Sequence, residues 1–269
     1  QAARRSSRPI ESAELDAARP AEGPPLRYTA RPKSGPRAQI DPLNGAPMTH
    51  ENIISTFNSW AQDGRAEGME EGHGDVVRQV LSQLEIRPGM QSLDLGCGSG
   101  WATRLLASAA PGAGAVGVDA SPEMIARAEA GHDLTSRARY EVCTFEALDF
   151  PDNRFDRVFT MEALYYAVDL PLALAEVFRV TKPGGHCDIV MDRFKESSLT
   201  ERWEETCGVA MHYLSEAEWK QAAEAAGYQE VTCARVIDSR GPGSEDEFEA
   251  SAHLLSWQEK VELHEAGSL

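Results

Sequence analysis

The sequence predicts an α/β protein built on a doubly wound, mostly parallel sheet with flanking helices. Three observations carry that expectation. From residue 50 onward helical and strand-like stretches alternate. A short apolar run, Ser92-Leu93-Asp94-Leu95, meets a glycine cluster and then a helical pattern. A second run, Gly114-Ala115-Val116-Gly117-Val118-Asp119, ends on a carboxylate just before another helix start. Helices between successive strands bring the chain back to the same edge, which leaves those strands parallel.

Taken in order, helical periodicity is expected at 51–62 and 73–84, followed by the first strand at 92–95 and a helix from Trp101 to Ala109. The second strand, 114–119, leads into a helix opened by Ser121-Pro122-Glu123, with Ser as the cap and Pro in the first turn. Further strands are expected at 139–143, 155–160, 184–191 and 229–236, with helices at 171–179 and 215–226 separating the last three. The tail, 244–269, reads as an acidic, partly amphipathic helix around Phe248, Leu255, Trp257 and Val261.

Composition limits the function. The 269 residues carry 26 Lys+Arg against 43 Asp+Glu, a formal charge of −17, so a nucleic-acid coat or an anionic membrane surface is a poor partner. No stretch reaches the roughly 18 apolar residues of a spanning helix, so no membrane insertion is expected. The five cysteines are widely spaced with no CxxC pair, which suggests neither a disulfide framework nor a metal site and fits a reducing, cytoplasmic location. Residues 1–47 differ in kind: they hold 8 of the 15 prolines and one aromatic residue, too little apolar surface to offset ordering entropy. They are expected to form a disordered leader before a single domain at 48–269, with Met48 as a natural start.

The chemistry concentrates in Leu93-Asp94-Leu95-Gly96-Cys97-Gly98-Ser99-Gly100-Trp101. Glycines at the carboxyl end of a first strand let the backbone turn tightly and approach a nucleotide-like ligand. A dinucleotide site asks for GxGxxG, and its third glycine position is taken here by Trp101; no Gly-Lys-Ser/Thr follows, so a P-loop is excluded. Asp119, 19 residues after Gly100, stands where a strand-end carboxylate accepts from a ribose diol, the alternative being a helix cap.

Four stretches in order, Leu-Asp-Leu-Gly-Cys-Gly-Ser-Gly, Val-Gly-Val-Asp-Ala-Ser-Pro-Glu-Met, Phe-Pro-Asp-Asn-Arg-Phe-Asp-Arg-Val-Phe and Val-Thr-Lys-Pro-Gly-Gly, resemble the class I S-adenosylmethionine-dependent methyltransferases over residues 88–236. The likeness is to the small-molecule branch that includes the ubiquinone/menaquinone and sterol methylators. It implies a Rossmann-like fold, S-adenosylmethionine as cofactor and a small-molecule methyl acceptor. It places Gly96, Gly98 and Gly100 against the methionine end of the cofactor, Asp94 near its ammonium, Asp119 on the ribose, and Ala120 and Met124 beside the adenine. Thr144-Phe145-Glu146 fall where the family commonly brackets the adenine edge, with Thr144 in place of the usual acid so that a backbone N–H of Phe145 would serve instead. Cys97 and Met161 complete the cofactor-side set, Cys97 as a small packed residue and not a nucleophile.

The resemblance also implies an acceptor pocket at the end of the fourth strand, by the N-terminal helix, and by an insertion after the fifth strand. Those places hold Glu162, Tyr165 and Tyr166; Trp60 with Met69 and His73; and the span 196–213 with Trp203, Cys207, Met211, His212 and Tyr213, expected to act as a substrate lid. Glu162 is the preferred catalytic residue, because an acid directly after an apolar strand has no packing explanation. Tyr165 and Tyr166 could equally be core, and His73 and His212 equally surface or capping residues. The family's sheet usually closes with an antiparallel hairpin, of which only 229–236 is legible, so a C-terminal truncation is an expectation. A NAD(P)-dependent oxidoreductase and a non-catalytic cofactor-binding subunit remain as alternatives, and the acceptor atom and oligomeric state stay open.

Overall fold

The computed structural model describes residues 48–133, 135–242, 258 and 261. The leader expected over 1–47, and all of the tail helix but positions 258 and 261, lie outside the described residues.

Five strands, β1 (Gln91–Leu95), β2 (Gly114–Asp119), β3 (Ala138–Val142), β4 (Phe155–Met161) and β5 (Thr181–Val190), form one parallel sheet in the order β3-β2-β1-β4-β5. The order reverses between β1 and β4, the topological switch point at whose carboxyl edge a crevice opens. Neighbours on β4 go to opposite sides: Val158 packs with Leu93, Leu95, Val116 and Val118, while Phe159 packs with Trp101, Leu106 and Ala115. Both faces are therefore covered, which is why β2 is buried along its whole length and reads as a continuous apolar run.

The helices are α1 (His50–Gln62), α2 (Arg65–Gln83), α3 (Trp101–Ser108), α4 (Pro122–Ala130), α5 (Leu170–Val180), α6 (Trp203–Cys207) and α7 (Glu216–Ala226). Their starts follow from capping chemistry. Thr49, Ser121 and Asp169 each accept from a backbone N–H of the first turn, and Ser215 with Glu218 forms a reciprocal capping box. Each such cap stabilises its helix by about 1 kcal/mol. Among the described residues no helix is long and apolar enough to cross a membrane.

Three expectations are corrected. The second helix begins at Arg65 and not at 73, because Gly68, Gly72 and Gly74 hide its period in the sequence while packing against α1 and α3 holds it. The fifth strand begins at Thr181, with Pro183-Gly184 absorbed by a register shift against β4 and not forming a separate turn. Residues 229–236 form no strand: Glu230 turns the backbone at a φ of 55°, most of the side chains are exposed, and no other described strand pairs with them. Alternating apolar residues make a strand only where a neighbouring edge and a face are on offer. The segment is fixed instead through Arg235, which pairs with Glu216 on α7 and stacks over Phe194 at 4.2 Å.

Candidate functional site

Strand β1 delivers the chain into the glycine loop with the backbone N–H groups of Gly96 and Cys97 both donating to Val118 O of β2, at 2.8 and 2.9 Å. Gly96 has a φ of 75°, and a Cβ there would lie 2.3 Å from the Cβ of Ala163 at the end of β4, so no other residue fits. Gly98 has a φ of 50° with nothing within 4 Å of a built Cβ; its requirement is conformational, and the space in front of it is free for a ligand. Asp119 pins this loop. Its Oδ2 accepts from Gly98 N–H and its Oδ1 from Ser121 N–H, both at 2.9 Å, so the carboxylate orders the loop after β1 and the start of α4 together. Burial is the largest influence on it and pushes its carboxyl up to about 6, against the pull of those two N–H donors.

These elements frame an open cleft at the carboxyl edge of the sheet. Gly96, Cys97, Gly98, Asp119, Ala120 and Met124 line one part of it, and Thr144, Phe145, Glu146, Met161, Glu162 and Tyr166 another. Several expected residues lie off the wall. Asp94 is buried between β1 and α3, where Oδ2 accepts a 2.6 Å hydrogen bond from Thr103 Oγ1 of α3 and burial pushes the carboxyl up to about 7. Gly100 caps α3 beneath the Tyr140 ring. Tyr165 is buried behind Glu162, and His73 sits half-buried on α2. Among the described side chains of 196–213 none lines the cleft: His212 N–H donates to Tyr165 O at 2.7 Å and its ring Nε2 lies 2.8 Å from Ala167 O, so His212 backs the tyrosines and does not face the ligand space.

The site's most constrained residue is Glu162. Its φ of 51° places a non-glycine residue in the left-handed region, a cost of roughly 1–3 kcal/mol that surrounding contacts must hold. They do so from two sides: Oε1 accepts from Asp192 N–H at 2.5 Å and Oε2 from the Tyr165 hydroxyl at 2.6 Å. Of the pair expected from the N-terminal helices, Met69 lines the cleft while Trp60 is buried in the core; the rest of the wall was not legible in the sequence. His50, Ile53 and Phe57 of α1 and Ala66 and Met69 of α2 close the cleft, and Ser99 and Trp101 complete the loop side. Glu146 explains how α1 is held there. One of its oxygens accepts from Val168 and Asp169 N–H while the other accepts from His50 Nε2 at 2.8 Å. An acid four residues past β3 was the available signal, but its partner lies 96 residues away in the chain.

Comparison with known proteins adds to the geometry. A family described as a methyltransferase domain matches residues 93–189. A chain of the complex between the Haloferax volcanii Trm112 methyltransferase activator and a proposed methyltransferase is 32% identical, with 79% of this chain and 93% of that chain covered and a TM-score of 0.71. The chain belongs to the class I S-adenosylmethionine-dependent methyltransferases. Within that family it is 36% identical over 142 residues to the malonyl-[acyl-carrier protein] O-methyltransferase of Erwinia billingiae, 51% of this chain and 54% of that protein. It is 33% identical over 142 residues to the demethylmenaquinone methyltransferase of Symbiobacterium thermophilum, 50% of this chain and 54% of that protein. The chain spans about half the length of the curated relatives it matches. The family's cofactor is S-adenosylmethionine, and the cleft suits it: an open backbone loop at Gly98, a strand-end carboxylate at Asp119 and apolar walls at Met124 and Phe145. An oxidoreductase reading is not favoured, in line with Trp101 standing at the third-glycine position.

Proposed function

We propose that the chain transfers a methyl group from S-adenosylmethionine to a small-molecule acceptor seated against Glu162. The observation that carries this reading is that the glycine loop after β1 and the segment from Met161 to Tyr166 after β4 open into one cleft. A cofactor on the first and an acceptor on the second would meet inside it. Gly96, Cys97 and Gly98 would run along the methionine end, Asp119 would take the ribose hydroxyls on the lone pairs its two N–H partners leave, and Ala120, Met124, Thr144 and Phe145 would border the adenine. Asp94 and Gly100 would act at one remove, through the packing of α3.

S-adenosylmethionine supplies a methyl group already activated by a positively charged sulfur. The chain's task is then to hold the acceptor in line and keep water out, and orientation alone is worth up to roughly 7–11 kcal/mol in favourable cases. Ile53, Phe57 and Met69 form an apolar wall from the two N-terminal helices, and Phe57 meets the Tyr166 ring edge-on at 4.9 Å. Glu162 faces the acceptor, with Tyr165 fixing one of its oxygens. The five cysteines are all unpaired, which supports a reducing, cytoplasmic setting. A protein activator is a second reading, supported by the Haloferax volcanii relative, a chain of a complex with one. Co-elution with such an activator, and a gain in turnover on adding it, would test it.

The main test is methyl transfer from labelled S-adenosylmethionine to a panel of amines, thiols, phenols and hydroxy acids. With the responding acceptor, Glu162→Gln should lower turnover by about 10²–10⁴-fold while affinity for S-adenosylhomocysteine by titration calorimetry stays within about twofold. Full turnover in that variant would move the acceptor site away from β4.

A further inference from the structure

Strands β4 and β5 end level, with Met161 opposite Val190, and each runs on into an acid: Glu162 directly, Asp192 two residues later. The two are tied together by the Asp192 N–H, which donates to Glu162 Oε1 at 2.5 Å, while Glu162 N–H donates back to Val190 O at 2.9 Å. Among the described residues neither carboxylate forms an ion pair with a lysine or arginine, and the only opposite charge that reaches Asp192 is the His73 ring. Arg193, the guanidinium that faces Glu162, is committed to Glu204 Oε1 at 2.7 Å and to Thr200 O, deep in the fold. The other groups around Glu162 are Tyr165 and Tyr166 after β4 and Cys207 of α6, none of them a cation. Asp192 in turn faces His73 of α2 and Asp238, with Arg240 next to His73 and paired to Asp238.

We propose that Glu162 is the proton acceptor of the transfer site and that Asp192 is the positioning residue that holds it both oriented and basic, so that the acceptor is a hydroxyl, thiol or amine that must lose a proton. The inference rests on the methyl-transfer function proposed for this cleft. In the step it describes, the acceptor atom uses a lone pair to form its bond to the methyl carbon, the carbon–sulfur bond breaks with its electron pair staying on sulfur, and the proton of the acceptor atom passes to Glu162. A carboxylate acceptor is disfavoured, since it has no proton to give to Glu162. An olefin has no ionisable proton for a base to take before attack. Two neighbouring acids that cannot both ionise easily are the usual means of raising one of them toward neutrality. Burial, with the Asp192 carboxylate adding to it, pushes the Glu162 carboxyl up to about 8; burial raises the Asp192 carboxyl too, and the neighbouring His73 opposes that rise and favours the charged form.

The test needs neither cofactor nor acceptor. Carboxyl ¹³C NMR of the full chain, titrated from pH 5 to 10, should show one side-chain carboxyl titrating near 8 that disappears in Glu162→Gln. In Asp192→Asn, which keeps the N–H donor and removes the charge, that titration should move down by about one pH unit. With a responding acceptor, the rise of kcat with pH should move down by the same amount while KM for the cofactor is kept. A titration that stays in place or moves up in Asp192→Asn would overturn the proposal, as would its survival in Glu162→Gln. Should Asp192→Asn fail to fold, the infrared protonated-carboxyl band at pH 7 decides the Glu162 half: in Glu162→Gln it must lose the component that titrates near 8 and keep the one that Asp94 contributes near 7. Asp192→Glu, which returns the charge, then decides the other half: its titration must stay near 8. The outcomes separate from those of the broader function: an unshifted titration alongside methyl transfer that is lost in Glu162→Gln sinks only the role of Asp192. Absence of any methyl transfer sinks the function itself.

Discussion

Asp119 has two roles that a substitution must separate. Its oxygens already hold Gly98 and Ser121, yet the residue lines the cleft. Asp119→Ala is expected to weaken S-adenosylhomocysteine binding by about 1.5–3 kcal/mol, roughly 10- to 150-fold in Kd, and to lower the melting temperature because two backbone donors lose their acceptor. Asp119→Asn keeps one acceptor oxygen and should fall between. Calorimetry that finds unchanged affinity in both would remove Asp119 from the ribose. The residue was legible because a charged group at the end of an apolar strand has few other reasons to be there. Glu162 was legible on the same ground, whereas Asp192 was not, since its link to Glu162 depends on β4 and β5 lying side by side.

The element that the sequence described least well is α2, and the reason is its glycine content. Gly68 and Gly72 have nothing within 4 Å of a built Cβ, so packing does not require them, and each weakens a helix that lends Ala66 and Met69 to the cleft. Gly68→Ala and Gly72→Ala are each expected to stabilise the protein by about 0.5–1 kcal/mol. That corresponds to a rise of about 1–4 °C in melting temperature for a chain of this size. Calorimetric melts of the double variant that fall below the parent would show that these positions carry a contact or a strain not seen at their Cβ atoms. The helices α1, α4, α5 and α7 posed no such difficulty, because each begins at a side chain able to cap it. Residues 229–236 show the opposite case, an apolar alternation left without an edge to join.

At the scale of the whole molecule, the site gathers carboxyl groups whose burial raises them: Asp119 to about 6, Asp94 to about 7 and Glu162 to about 8. An acid raised in the folded state binds its proton more tightly there than when unfolded. Its contribution to stability is complete below the unfolded value of 3.8 and lost as pH rises through the folded value, so for Asp94 the window runs from about 4 to 7. Exposed acids with lowered values, such as Glu218 at about 2, act oppositely and only in stronger acid. Asp94→Asn, which can still accept from Thr103, should therefore flatten the fall of melting temperature between pH 4 and 7 and raise it at pH 7–8 by about 2–4 °C, the equivalent of about 1 kcal/mol. A variant whose melting temperature falls as steeply with pH as the parent's would show that Asp94 is ionised in the fold. By itself the sequence determined the strand–glycine–helix unit, the Asp119 position and the parallel α/β class, because each is written in local periodicity and spacing, and it pointed to the family through the resemblance of four ordered motifs over residues 88–236. Only the tertiary structure decided that Asp94 points away from the cleft to Thr103 of α3, that α1 is latched over the cleft through His50 and Glu146, and that Asp192 stands beside Glu162. Those are meetings of residues distant in the chain, made by strand order and helix crossing, and no local pattern encodes them.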